Sequence, residues 1–160
     1  MKKINLSKIR HNADLARALG CGEEDLNSLL ASSQISHYHE MKIPKKNPKN
    51  RGSFRVVYQV TNSTLELLQK NISKAVADAY IFPEYVQGFT RGRSIVSNAS
   101  QHLSKKYLLK VDIQDFFESI KSDKVEKAFQ FIGCNFVVAS SLSKICTLNG
   151  CLPQGASSSP

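Results

Sequence analysis

The sequence lacks the features that define several classes of protein. No apolar run is long enough to cross a bilayer, and Met1 is followed by two lysines and an amphipathic stretch rather than by a continuously apolar one. The four cysteines form no CxxC pair and have no clustered histidines near them, so neither a zinc site nor a disulfide framework is indicated. We therefore expect a cytoplasmic protein with reduced thiols and no membrane partner.

Acidic residues are scarce in the middle of the chain. Residues 41 to 111 contain thirteen Lys and Arg side chains and only three acids, Glu66, Asp78 and Glu84, so this segment holds the whole of the net charge of +9. A basic block of this kind is typical of proteins that bind a polyanion such as nucleic acid. A solvated basic face is an equally consistent interpretation.

The apolar pattern, with 41% apolar residues, predicts an α+β domain that is large enough to bury a core. Apolar residues at helical spacing, together with capping residues such as Ser63 or Thr64 and Ser122, predict helices over residues 6–19, 23 onward, 63–79, 94–102, 122–132 and 136–146. Alternating apolar residues predict strands over 38–43, 54–60 and 108–113. The first two strands bracket PKKNPKNRGS, which is typical of a long turn, so they form a hairpin with a basic tip.

The hairpin is the first candidate site. Its segment from Lys42 to Arg55 has six basic residues and no acid. Lysine supplies a compact charge and arginine a forked donor, so Lys45 or Lys46 together with Arg55 can hold a triphosphate. A solvated hairpin tip explains the same composition.

The stretch GFTRGRSI and the helix after it form a second candidate. Its glycines allow a close backbone approach to a ligand, and Arg91 and Arg93 are placed to contact a phosphate backbone. Asn98 and His102 are four residues apart and share a helix face. A plain exposed loop and a structural histidine are the alternatives.

Two carboxylates interrupt the apolar run LLKVDIQDFFESI. Asp112 lies on the polar face of the predicted strand, and Asp115 follows where the strand ends. Such carboxylates suit Mg²⁺-dependent phosphoryl transfer, because Mg²⁺ binds through one or two carboxylates and substrate oxygens. The alternative is that Asp115 caps a turn and Asp112 pairs with a base such as Lys110. The terminal LPQGASSSP offers Gln154 and Gly155 as further substrate contacts, although any turn can look like this.

Taken in order, IPKK with the later Arg55, GFTRGRSI, NASQH, YLLKVDIQDFFESI and LPQGASSSP resemble the successive motifs of bacterial reverse transcriptases. The resemblance covers about Leu15 to Pro160. The arrangement of Asn98, Ala99 and His102 resembles the retron branch of that family. The resemblance to reverse transcriptases implies a right-hand polymerase fold, with a helical lead-in over residues 1–36, fingers over 37–105 and a partial palm over 106–160.

The resemblance also implies roles for individual residues. Asp112 and the Ile113 carbonyl match the first metal site, which would hold Mg²⁺, and Phe117 matches the aromatic gate that excludes a 2′-hydroxyl. The nucleotide site is implied to contain Lys45, Arg55, Asp115, Phe116, Phe117 and Gln154. The nucleic acid is implied to contact Lys46, Lys49, Arg51, Arg91 and Arg93.

The activity implied is RNA-directed DNA synthesis from dNTPs, in which a structured non-coding RNA is copied into single-stranded DNA (msDNA) in anti-phage defence with an effector protein. The family's Tyr-x-Asp-Asp motif does not occur in residues 1–160. We therefore expect these residues to be inactive alone, since Asp112 cannot hold two magnesium ions. A truncated, non-catalytic RNA-binding module and a group II intron-type reverse transcriptase are the alternatives.

Overall fold

The computed structural model describes residues 4–45 and 52–159 as a chain of helices with one hairpin. The elements are α1 (Asn12–Leu19), α2 (Glu23–Ala31), β1 (Tyr38–Pro44), β2 (Phe54–Val60), α3 (Ser63–Ala79), α4 (Ile95–Ser100), α5 (Phe116–Ser119), α6 (Ser122–Phe131) and α7 (Phe136–Cys146). Short 3-10 turns lie at Leu6–Lys8 and Gln34–His37. The α+β prediction is confirmed. No helix in these two ranges combines the length and the apolar character that a membrane span requires.

Helix α7 lies at the centre of the core. Its sequence FVVASSLSKIC is apolar on most of its circumference, which is typical of a helix that is covered on several sides. It packs against α1, α2, α3 and α6, and Leu142 and Ile145 are almost fully buried. Its serines are satisfied internally: Ser141 donates to the Asn12 side chain and Ser143 to the Ser122 carbonyl. The burial of each Leu or Ile contributes about 1.5–3 kcal/mol to folding.

The helix boundaries follow from capping contacts. Gly20 ends α1 in the left-handed region (φ 83°), a conformation that glycine adopts without steric cost. Asn62, rather than Ser63 or Thr64, caps α3, because its side chain accepts the Leu65 N–H at 2.9 Å. Helix α6 begins at Ser122, but its cap residue is Lys121, without a side-chain hydrogen bond.

The predicted helix over 6–19 is wrong as a single element. The Asn5 side chain accepts the Ser7 N–H and starts a 3-10 turn instead, and Ile9 and His11 are extended, so α1 begins only at Asn12. A short polar side chain that bonds the local backbone competes with the helix at this point.

The predicted hairpin is confirmed. Strands β1 and β2 pair antiparallel in a register that sets Tyr38 opposite Val60 and Ile43 opposite Arg55. At its base, the buried Gln69 of α3 donates to the Tyr38 hydroxyl at 2.7 Å and to the Ile145 carbonyl at 3.0 Å. The hairpin is thereby attached to α3 and α7 in the core.

The strand predicted over 108–113 is not formed. Leu109, Val111 and Ile113 are 84%, 77% and 64% exposed, and the residues lie outside any sheet. A strand requires a partner for its backbone N–H and C=O groups. The two strands of the described ranges pair with each other, so this segment has no partner there and stays in water.

Candidate functional site

The two strands of the hairpin present one face with two basic residues. Side chains alternate along a strand, so the register puts Arg55 and Val57 on the same face as Ile43 and Lys45. The pairing continues past β1, because the Lys45 N–H donates to the Ser53 carbonyl at 3.0 Å. Lys45 is therefore a diagonal neighbour of Arg55, a relation that separates Cα atoms by about 7–8 Å. We call Lys45, Arg55 and Val57 the hairpin face.

The loop with Gln154, residues 153–156, packs on the free edge of β2. The Tyr58 N–H donates to the Gln154 carbonyl at 2.8 Å. A Cβ added to Gly155 would overlap Val57 Cγ1, because the two atoms would be closer than van der Waals contact allows. It would also lie 3.2 Å from the Tyr58 carbonyl oxygen. We call residues 153–156 the glutamine loop; its Pro153 and Ala156 are buried and Gln154 is half-buried.

The glutamine loop is also bonded to the start of α6. The Leu152 N–H donates to the Ile120 carbonyl at 3.0 Å, and the Ser122 N–H donates to the Gly150 carbonyl at 2.9 Å. On its other side, Ser158 donates to the Cys146 carbonyl at 3.4 Å and Ser159 donates to the Pro153 carbonyl. The loop is thus fixed between β2, the α5–α6 junction and the end of α7.

Tyr58 lies on the face of the hairpin opposite to Arg55 and Val57, because side chains alternate along β2. Burial, followed by the charges of Glu40, Cys151 and Glu118, raises the pKa of its hydroxyl. Glu118 belongs to α5, and the carbonyl of Ile120, the residue that ends α5, accepts the Leu152 N–H beside the glutamine loop. Three of the predicted elements, the hairpin, the glutamine loop and α5, are therefore adjacent.

The segment Asp115–Phe117 has a constrained conformation. Asp115 lies in the left-handed region (φ 48°, ψ 44°), and its carbonyl accepts the Ser119 N–H at 3.0 Å. The rings of Phe116 and Phe117 meet edge to face at 5.4 Å, and Phe117 is half-buried. An aspartate in this region costs about 1 kcal/mol or more. The turn at Asp115 sets the direction in which both rings project.

Asp112 is exposed and bonded to nothing that would fix its carboxylate relative to the hairpin. Residues 4–45 and 52–159 contain no group of three or more His, Cys, Asp or Glu side chains that could together hold an ion. The donors that are present, the Asp112 carboxylate, the Asp115 carboxylate and the Ile113 carbonyl, are hard oxygens in contact with water, and Mg²⁺ binds through one or two carboxylates plus substrate oxygens. These oxygens are suitable as some of the ligands of a magnesium ion.

Arg93 bonds the loop that precedes α4. Its guanidinium donates to the carbonyls of Phe82, at 2.9 Å, and of Pro83 and Val86. These hydrogen bonds use part of the guanidinium group that the sequence predicts to contact phosphate. Arg91 is exposed.

The retron-like residues Asn98, Ala99 and His102 lie in and just after α4, and all three are exposed. Ser94 caps this helix through a reciprocal capping box with Ser97. The predicted contacts of Lys46, Lys49 and Arg51 lie outside the described residues.

A pocket between α3 and α6 does not contain the candidate site residues. It has a volume of about 770 Å³, and its lining includes Ile72, Val76, Phe82, Val125 and Phe129. Its lining is mainly apolar, so it does not suit a triphosphate.

Sequence reasoning did not identify the residues that hold these parts together. The sequence indicates Gln69 as an ordinary polar residue of an amphipathic helix. Its partners Tyr38 and Ile145 are distant in the sequence, so no local pattern predicts these hydrogen bonds. Val57 reads as an ordinary strand residue. The sequence indicates Gly155 as a substrate contact, because glycine allows the close approach of a ligand. In the structure, Val57 and Tyr58 of β2 lie against Gly155.

Comparison with known proteins identifies the family. Residues 43–160 match the family model described as reverse transcriptase (RNA-dependent DNA polymerase). The chain is 31% identical to the retron Ec86 reverse transcriptase of Escherichia coli over 160 residues, which are 100% of this chain and 49% of that protein. It is 30% identical to the retron Se72 reverse transcriptase of Salmonella heidelberg over 155 residues, which are 96% of this chain and 39% of that protein. The chain thus spans about half the length of such relatives or less, and it belongs to the reverse transcriptase family, with retron reverse transcriptases as its relatives.

Proposed function

We propose that this chain supplies the nucleotide-binding part of an RNA-directed DNA polymerase. The observation that carries the proposal is the adjacency of three elements in a chain of this family: the hairpin that carries Lys45 and Arg55, the glutamine loop on the edge of β2, and α5, whose end is bonded beside that loop. Lys45 and Arg55 bind the triphosphate of an incoming dNTP, because two cations on one rigid face match its charge. Gln154, whose carbonyl accepts the Tyr58 N–H three residues along β2 from Arg55, contacts the nucleotide from the side.

The turn at Asp115 orients the sugar pocket. Asp115 and Phe116 line it, and Phe117 lies under the deoxyribose. The edge-to-face contact with Phe116 restricts the Phe117 ring to few positions. A fixed ring at this place excludes a 2′-hydroxyl by its volume, so the site selects deoxynucleotides.

Asp112 and the Ile113 carbonyl hold Mg²⁺ in this proposal. When bound, the ion activates the primer hydroxyl and stabilises the leaving pyrophosphate. Asp112 is exposed and therefore pays no cost of desolvation before an ion or a substrate arrives. The remaining metal ligands come from the rest of the full-length protein.

The template in this proposal is a structured non-coding RNA, and the product is single-stranded DNA (msDNA). The basic residues Lys46, Lys49, Arg51, Arg91 and Arg93 contact the nucleic acid, and Asn98, Ala99 and His102 form an exposed retron-type patch. The fingers extend over residues 37–105 and the partial palm over 106–160. A role in anti-phage defence, with an effector protein and in the cytoplasm, extends the proposal to the whole protein.

A primer-extension assay on the full-length protein with its neighbouring non-coding RNA, dNTPs and Mg²⁺ tests this function. We expect Asp112→Asn to lower DNA synthesis by more than about a hundredfold, because the substitution removes a ligand charge from the metal. RNA binding, measured by filter binding, should change less than about threefold, since Asp112 contributes no positive charge.

The matched control is Asp78→Asn, which removes a carboxylate from α3, outside the candidate site. It should leave synthesis near the wild-type level. Full synthesis by the Asp112→Asn protein would refute the metal assignment. RNA binding without any synthesis by the wild-type protein would instead support a non-catalytic RNA-binding module.

A further inference from the structure

We propose that Val57 is a positioning residue whose contact with Gly155 sets the distance between the hairpin face and Gln154. This inference rests on the proposed function, since it assigns Gln154, Lys45 and Arg55 to one nucleotide. Val57 itself touches no substrate in this proposal. It acts by defining how closely the glutamine loop approaches β2.

The contact leaves no space for a larger residue. A Cβ on Gly155 would overlap Val57 Cγ1 and would stand 3.2 Å from the Tyr58 carbonyl oxygen. The first neighbour is a β-branched side chain with few rotamers, and the second is backbone, so neither yields easily. Gly155 also has a backbone φ of +99°, which residues other than glycine rarely adopt.

The glutamine loop cannot move away freely to relieve such an overlap. It is bonded to Tyr58 on β2, and its flanks are bonded to Ile120 and Cys146. The hairpin is bonded separately to the core through Tyr38 and Gln69. Both sides of the contact are thus anchored, and an added methyl group must change the separation of Gln154 from the hairpin face.

The expected consequence is weaker binding of the nucleotide. Val57 lies on the same face as Arg55, two residues further along β2, so a displacement at Val57 falls next to the triphosphate contacts. A misplacement of about 1 Å in a substrate-positioning group can cost up to about a hundredfold in rate. The loss should appear in KM for dNTP more than in kcat, because the metal ligand Asp112 is not displaced.

Steady-state incorporation of a single nucleotide by the full-length protein tests the proposal. We expect Gly155→Ala to raise KM for dNTP by about tenfold or more, with kcat changed less than about threefold. The matched control is Gly20→Ala at the end of α1, because Gly20 has a similar positive φ (+83°) and no heavy atom closer than 3.9 Å to an added Cβ. It should change KM less than about threefold, which separates the steric contact from backbone strain.

Two further variants address the contact from the other side. Val57→Ala in the Gly155→Ala background removes the overlapping Cγ1 and should recover at least about half of the KM effect on a logarithmic scale. Val57→Ile with Gly155 intact adds volume without any strain in φ and should raise KM by itself. Melting temperatures of all variants report whether each remains folded.

Equal KM values for Gly155→Ala and Gly20→Ala, or a double variant no better than Gly155→Ala, would overturn the inference. If Gly155→Ala fails to fold, the KM of Val57→Ile decides the question. An Asp112→Asn arm distinguishes the two levels of the proposal. If Asp112→Asn abolishes synthesis and the Gly155 and Val57 variants behave like controls, only the positioning role is lost. If Asp112→Asn retains synthesis, the proposed site itself is wrong.

Discussion

The helical core and the segment from residue 80 to residue 118 contain similar apolar side chains in opposite environments. In the core, Leu15, Leu65 and Leu142 are fully buried between α1, α3 and α7. In the segment, large apolar side chains such as Ile81, Phe89, Ile95 and Tyr107 are mostly exposed. An apolar pattern therefore predicts the face that a residue presents, whereas burial depends on a second element that covers it.

The two regions also differ in how their backbone is held. Helices satisfy their own N–H and C=O groups, so the core elements form wherever an apolar stripe finds a neighbour. The segment relies on a few side-chain bonds, above all those of Arg93, and on the four- and six-residue helices α5 and α4. We expect most of the free energy of folding to come from the core and little from the segment.

The largest difference in stability should appear when one leucine of each region is truncated to alanine. Leu142→Ala removes a fully buried side chain and should lower the free energy of unfolding by about 2–5 kcal/mol. Leu109→Ala, at a residue that is mostly exposed, should change it by less than about 0.5 kcal/mol. Urea unfolding of both variants measures the difference. Equal losses would mean that the segment packs in solution and would contradict the comparison.

An intermediate effect is expected from pH. Burial raises the pKa of the Cys146 thiol from 9.0 to about 12 and that of the Tyr38 hydroxyl from 10.0 to about 12. Above pH 9 the unfolded chain releases protons that the folded chain keeps, so stability is full below pH 9 and falls as pH rises toward 12. The slope from each group approaches about 1.4 kcal/mol per pH unit.

Unfolding free energies measured across pH 8 to 11 in the wild type and in Cys146→Ala check this expectation. The variant should lose stability less steeply with pH, because its unfolded state releases one proton fewer. Parallel curves would show that the thiol keeps an ordinary pKa in the folded core.

Arg93→Lys should have a small effect on global stability and a clear effect on the order of the loop that Arg93 bonds. An ammonium group cannot reproduce a planar guanidinium that donates to three carbonyls at once, so residues 82–90 should lose order. We expect at least about tenfold faster amide hydrogen exchange in this loop, with a change in global stability below about 1 kcal/mol. Arg91→Lys, at an exposed side chain, is the control. Unchanged exchange in Arg93→Lys would show that the bonds of Arg93 do not order the loop.

The sequence predicts the local features of this chain well. The hairpin, α3, α6 and α7 all follow from periodicity and capping, which depend on neighbouring residues. The strand over 108–113 was wrong because its formation depends on a partner strand that no local pattern provides. In the site, the face shared by Lys45 and Arg55 follows from alternation along the strands, whereas the place of Gln154 on β2 follows from a contact across about a hundred residues of chain.

The side-chain bonds between α1 and α7 bear on how the chain folds during synthesis. Asn135 donates to the Arg10 carbonyl across 125 residues, and Ser141 donates to Asn12 across 129 residues. At about 5–20 residues per second, the ribosome makes α7 roughly 6–25 s after it makes α1. Helix α1 packs against α2 and α3, which are made earlier, so only the surface of α1 that α7 covers stays exposed to water for that time.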